Sequence, residues 1–133
     1  MAPDSGTPFK VPTYSASGKG QLIARCPKCY VALYSHYAGG GPYTSFVRLG
    51  TLDVEYSHAL KPDVYIYQTT KMPWFVVPEG GKCFDAFYQP SEEWGKETWE
   101  RFAKLRPEIE KWRKESGGWK FEELEGKIEK LSL

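Results

Sequence analysis

Cysteine and histidine are scarce in this sequence, and neither sign of charge prevails. Three cysteines and two histidines occur in 133 residues. So few thiols, in odd number, exclude a disulfide framework. Lys and Arg number 18 against 17 Asp and Glu, a net charge of +1. A protein that grips nucleic acid through phosphates needs a basic excess, so no nucleic-acid partner is expected. No apolar run approaches the ~20 residues of a membrane span, which excludes a spanning helix, and no membrane partner is expected. Residues 1–8 carry neither the basic nor the apolar stretch of a signal peptide. The expected compartment is therefore the cytoplasm, or the nucleus, with reduced thiols. What is abundant is aromatic surface: 16% of residues, including five Trp and nine Tyr. With 41% hydrophobic residues, the chain has the means to order itself over most of its length.

Read in order, residues 1–8 form a flexible lead-in. Residues 9–14 are a short extended piece cut by Pro12, and 15–20 are a Ser/Gly loop. Strands are predicted over 21–25 and 31–37, with Val31, Leu33, Ser35 and Tyr37 on one face. The Gly39-Gly40-Gly41-Pro42 run breaks the chain. Further strands are predicted over 43–49, 63–69 and 83–88, with 63–69 the cleanest. Residues 72–78, held between Pro73 and Pro78, read as an extended edge. Up to residue 90 the pattern is antiparallel β, with no helical period.

The pattern changes at Gln89-Pro90-Ser91. Trp99, Phe102, Leu105, Ile109 and Trp112 recur three and four apart, a helix with one apolar stripe. Pro107 marks either a kink or the first position of a second helix. Glu97/Arg101, Glu100/Lys104 and Glu110/Lys114 are spaced for i,i+4 pairs. Gly117-Gly118 ends this part, and Phe121, Leu124, Ile128 and Leu131 predict a last helix. The fold class expected is mainly β with a C-terminal α-helical extension: lead-in 1–8, β domain 9–90, helical extension 91–133.

The stretch with a spacing of its own is Cys26-Pro27-Lys28-Cys29. Two thiolates on a tight turn between strands can hold one edge of a tetrahedral zinc. A structural zinc site takes four ligands. A thioredoxin-like redox reading fits poorly, because strands flank the motif on both sides rather than a strand and a helix.

With this motif, the run Val47-Arg48-Leu49-Gly50-Thr51-Leu52-Asp53, then Pro62-Asp63-Val64-Tyr65-Ile66, then Pro73-Trp74-Phe75 resembles the C-terminal half of the glutathione-dependent formaldehyde-activating enzyme (GFA) family, also called the centromere protein V/GFA domain. The resemblance runs from about Phe9 to Trp94 and leans to fungal members. It implies an Mss4-like antiparallel β fold, here incomplete, and a zinc-dependent carbon–sulfur lyase that joins glutathione or a related thiol to formaldehyde. It implies two zinc sites. Cys26 and Cys29 match the later half of the structural one. Nothing in the sequence matches the Cys-x-Cys of the other half, nor the Cys-His-Cys-x-x-Cys of the catalytic zinc. The resemblance therefore implies a truncated or inactive member, with no catalytic residue to name; Cys26 and Cys29 are its metal ligands, and it points to no particular residue for binding another cofactor. Tyr30 stands where the family has Gly, a position that suits the left-handed conformation closing a knuckle.

The remaining candidates carry structural expectations. Cys83 reads as a buried thiol in an apolar strand, His36 and His58 as structural or exposed, and Asp53 as a turn-former. Trp74 and Phe75 read as core or edge packing rather than a ligand cleft. The alternative function is a non-catalytic interaction module acting through its helical arm. An open sheet edge and apolar face are left to be covered either by the helices from Lys96 to Leu131 or by a second copy, a homodimer through the sheet edge or the helical stripe.

Overall fold

The computed structural model describes residues 6–15 and 17–119. The last predicted helix and most of the lead-in lie outside the described residues. The described residues divide into two compact units, those within 1–53 and 105–133, and those within 54–104.

The first unit is built on a four-stranded antiparallel meander: β1 (Phe9–Thr13), β2 (Gln21–Arg25), β3 (Ala32–Tyr37) and β4 (Phe46–Val47), in that order. Pro12 does not cut β1. It pairs opposite Leu22, and an edge strand tolerates proline because its outer N–H has no ladder to join. The β2–β3 register slips between Ala24 and Arg25, whose partners are Tyr34 and Ala32. Leu33 is the extra residue of this bulge, and its carbonyl accepts from the Arg48 N–H at 2.9 Å.

The two central strands are buried on both faces. Ile23 and Ser35 are paired and face one way, while Ala24 and His36 face the other. The Arg48 Nη1 donates to the buried Ser35 hydroxyl at 3.0 Å.

Helix α3 (Lys96–Ser116) runs unbroken through Pro107, so the single-helix alternative holds. Its second half belongs to the first unit, where Ile109 is 3% exposed and Trp112 packs on Gly41. Arg113 Nη2 donates to the Gly39 carbonyl at 3.0 Å. Gly117, at φ 67°, receives the helix end, its N–H bonding the Arg113 carbonyl.

The second unit has little regular structure. It holds α1 (Val54–Ser57), β5 (Val64–Tyr65), β6 (Lys82–Cys83), α2 (Pro90–Glu93) and the first half of α3. β5 and β6 pair in parallel. Its packing centre is aromatic. Trp94 meets Phe102 edge-on at 5.2 Å and Trp99 at 6.3 Å, and its Nε1 donates to the Tyr88 hydroxyl at 3.0 Å. Lys82 and Glu93 form an ion pair at 2.6 Å.

The mainly-β expectation is thus too strong, and the chain is a mixed α/β protein. The predicted strand 43–49 keeps only β4, because one 3₁₀ turn at Gly41–Tyr43 and another at Leu49–Thr51 flank it. The predicted strand 63–69 stops at Tyr65. Tyr67 is left-handed at φ 56°, and a 3₁₀ turn follows at Gln68–Thr70. Of the three expected helix ion pairs none closes; the contact on that surface is Lys96–Glu100 at 3.9 Å. No helix among the described residues is long and apolar enough to cross a membrane.

Candidate metal knuckle

The bulge in β2–β3 delivers the chain into a compact turn at residues 26–31. The Cys26 N–H donates to the Val31 carbonyl at 2.9 Å, and the Tyr30 N–H donates back to the Cys26 carbonyl at 3.0 Å. Tyr30 is left-handed, at φ 60°, which turns the chain so that the Val31 carbonyl returns to the Cys26 N–H. A side chain there meets its own backbone, at a cost of roughly 1 kcal/mol relative to glycine. Two contacts offset it. Arg25 Nη1 donates to the Tyr30 carbonyl at 2.9 Å, and the Tyr30 ring meets Phe9 edge-on at 5.3 Å. Aromatic pairs of this kind contribute about 0.5–1.5 kcal/mol.

The Cys26 thiol is held below its ordinary pKa, first by the backbone N–H of Cys29 and then by that of Lys28. The Cys29 thiol and the Lys28 charge act in the same direction, against a desolvation that works the other way. Backbone N–H groups aimed at a sulfur stabilise its thiolate form, which is the form that ligates metal. Cys26 is half-buried and Cys29 is exposed, both as free thiols. The donor set fits zinc as one edge of a tetrahedron. Among the described residues no group of three or more His, Cys, Asp and Glu is placed to hold a metal ion.

The other candidates go elsewhere. His36 is 5% exposed and its Nδ1 lies 2.8 Å from the Thr44 carbonyl, to which it donates; the structural expectation fits this residue. His58 and Asp53 are exposed on either side of α1. Cys83 is exposed rather than buried, because its strand is two residues long, and its thiol donates to the Gly81 carbonyl at 3.5 Å. Trp74 is 78% exposed, so it is not core. With Phe75, Tyr65, Tyr67 and Met72 it lines an open groove of about 550 Å³ in the second unit, where Lys71 Nζ donates to the Phe75 carbonyl at 2.7 Å. The left-handed Tyr67 turns the chain into this groove, and no Gly or Asn marks that position in the sequence. The bracing roles of Arg25 and Phe9 were equally silent, since neither lies in the motif.

No family model, curated protein or solved structure matches the chain.

The left-handed Tyr30 makes a direct prediction. Tyr30→Gly relieves backbone strain and loses a ring contact of similar size, so its stability should stay within about 1 kcal/mol of the parent. Tyr30→Val loses the contact and keeps the strain with a branched Cβ, and should be about 2 kcal/mol less stable than Tyr30→Gly. Urea unfolding of both variants checks this; equal midpoints would count against the left-handed turn.

Proposed function

We propose that this chain is a zinc-knuckle domain of the GFA type, in which Cys26 and Cys29 hold a structural zinc and no lyase centre is assembled. One observation carries the reading. The turn from Cys26 to Val31 is closed by two backbone hydrogen bonds and leaves both thiols free on it, with left-handed Tyr30 at the position where the resembling family has glycine. A pair of unligated thiols needs no such support. The zinc here stabilises the fold by tying the β2–β3 turn. The lyase chemistry asks for a second set of soft ligands, and with three cysteines and two histidines in all these 133 residues do not supply it. The interaction-module alternative gains nothing from the described part of the helical stripe. Ile109 is buried, and Trp99, Phe102 and Trp112 pack against Trp94, Trp94 and Gly41.

The test is metal analysis of the purified, reduced chain together with an assay of the glutathione–formaldehyde adduct. Zinc should be retained, should be lost in Cys26→Ser, and adduct formation should run at the rate of buffer. Absence of zinc after exposure to excess metal defeats the knuckle reading. A rate above buffer defeats the non-catalytic one.

A further inference from the structure

We propose that the zinc is shared between two copies of this chain, each giving Cys26 and Cys29 to one four-thiolate site on a two-fold axis. The inference rests on the knuckle reading above and names the partner that completes it.

Ligand supply is the first argument. A structural zinc is held by four protein ligands, nearly always thiolates and imidazoles. The knuckle supplies two. The other soft donors in the sequence are Cys83, His36 and His58. His36 is committed to the Thr44 carbonyl, and no cluster of three donors forms among the described residues. Residues 1–5, 16 and 120–133 contain neither Cys nor His. A second copy brings an identical pair, and a tetrahedron divided into two edges is compatible with two-fold symmetry about the metal.

Access is the second argument. Pro27, Lys28, Cys29, Tyr30 and Val31 are all exposed, so the turn projects rather than sitting under other elements. Tyr30 is 64% exposed and Val31 47%, which leaves apolar surface beside the ligands for a partner to cover. The last argument is charge. Zinc with four thiolates carries a net −2. A two-fold axis at the metal brings two copies of Lys28 to the same place, and their ammonium groups balance that charge. The thiol protons leave to buffer as the metal binds.

The test uses the full chain under a non-thiol reductant, titrated with zinc, with bound metal and sedimentation mass read on the same samples. About one zinc per two chains should bind, with conversion of monomer to dimer, and a chelator should reverse both. Cobalt(II) in place of zinc should give a four-thiolate spectrum that saturates at the same ratio. Cys29→Ser should abolish metal and dimer together, whereas Cys83→Ser should change neither. Lys28→Glu leaves every ligand in place and should weaken the metal-linked dimer by at least about tenfold; this variant decides the matter if Cys29→Ser fails to fold. One zinc per chain on a monomer overturns the sharing and leaves the knuckle intact. No metal at all overturns both. A dimer that survives the chelator overturns the proposal that zinc joins the copies.

Discussion

Gly41→Ala is expected to destabilise the first unit by about 2–4 kcal/mol. Two costs add. Gly41 sits at φ 53°, where any side chain loses roughly 1 kcal/mol against glycine. A Cβ built at Gly41 also falls 2.6 Å from Trp112 Cε3, inside any real contact distance. The atom opposite is not the tip of a flexible chain. It belongs to an indole whose neighbours are Trp119, at 4.7 Å between ring centres, and the helix that also buries Ile109. Overpacking at such a place costs about 1–3 kcal/mol. The two contributions separate in a double-mutant cycle. In a Trp112→Ala background the clash disappears and only the backbone cost remains, so Gly41→Ala should then cost about 1 kcal/mol. Urea unfolding followed by circular dichroism measures both steps. Equal costs in the two backgrounds would show that Trp112 does not press on Gly41.

This contact explains why part of the fold was legible in sequence and part was not. β2 and β3 were placed within a residue, because their apolar and β-branched residues lie between a Ser/Gly loop and a Gly run. The stripe Trp99, Phe102, Leu105, Ile109 and Trp112 gave α3, because helical spacing needs no partner to be recognised. Beyond β4 the same pattern reading failed. Val64, Tyr65, Ile66 and Tyr67 have every local preference for a strand, yet a strand persists only where a neighbour pairs with it. Here β6 offers two residues, Lys82 and Cys83, and Tyr67 turns left-handed as the pairing ends. That Gly41 must be glycine was legible only as a breaker. Its partner lies 71 positions away in sequence, counted as 112 minus 41, and no local signal joins them.

The knuckle divides in the same way. Cys26 and Cys29 announce themselves by spacing. The residues that hold their turn are Arg25, through the Tyr30 carbonyl, and Phe9, through the Tyr30 ring. Phe9 reaches the knuckle because β1 pairs with β2 so that Phe9 stands opposite Arg25. A non-glycine residue at the left-handed position is thus supported by a strand that the motif does not contain.

His36→Ala should cost about 3 kcal/mol without altering zinc content. The residue lies 5% exposed on β3, with the Tyr34 ring at 5.4 Å and the Trp119 ring at 6.4 Å. Truncation empties the space of an imidazole, at roughly 2 kcal/mol for a partly collapsing cavity. It also leaves the Thr44 carbonyl without its donor, at about 1 kcal/mol. His36→Asn separates the two losses. Its amide nitrogen takes the place of Nδ1 and can donate to the same carbonyl, so about 1 kcal/mol of the loss should return. His36→Leu fills space without a donor and should not recover that part. The comparison bears on the metal as well as the core. A histidine that ligates zinc would lose metal in all three variants, whereas one whose Nδ1–H is given to a backbone carbonyl would keep the knuckle's zinc in each. Unfolding midpoints and metal content, measured on the same three proteins, distinguish the structural histidine from a ligand. Loss of zinc in His36→Asn would move His36 into the metal site and leave fewer positions for a second chain to fill.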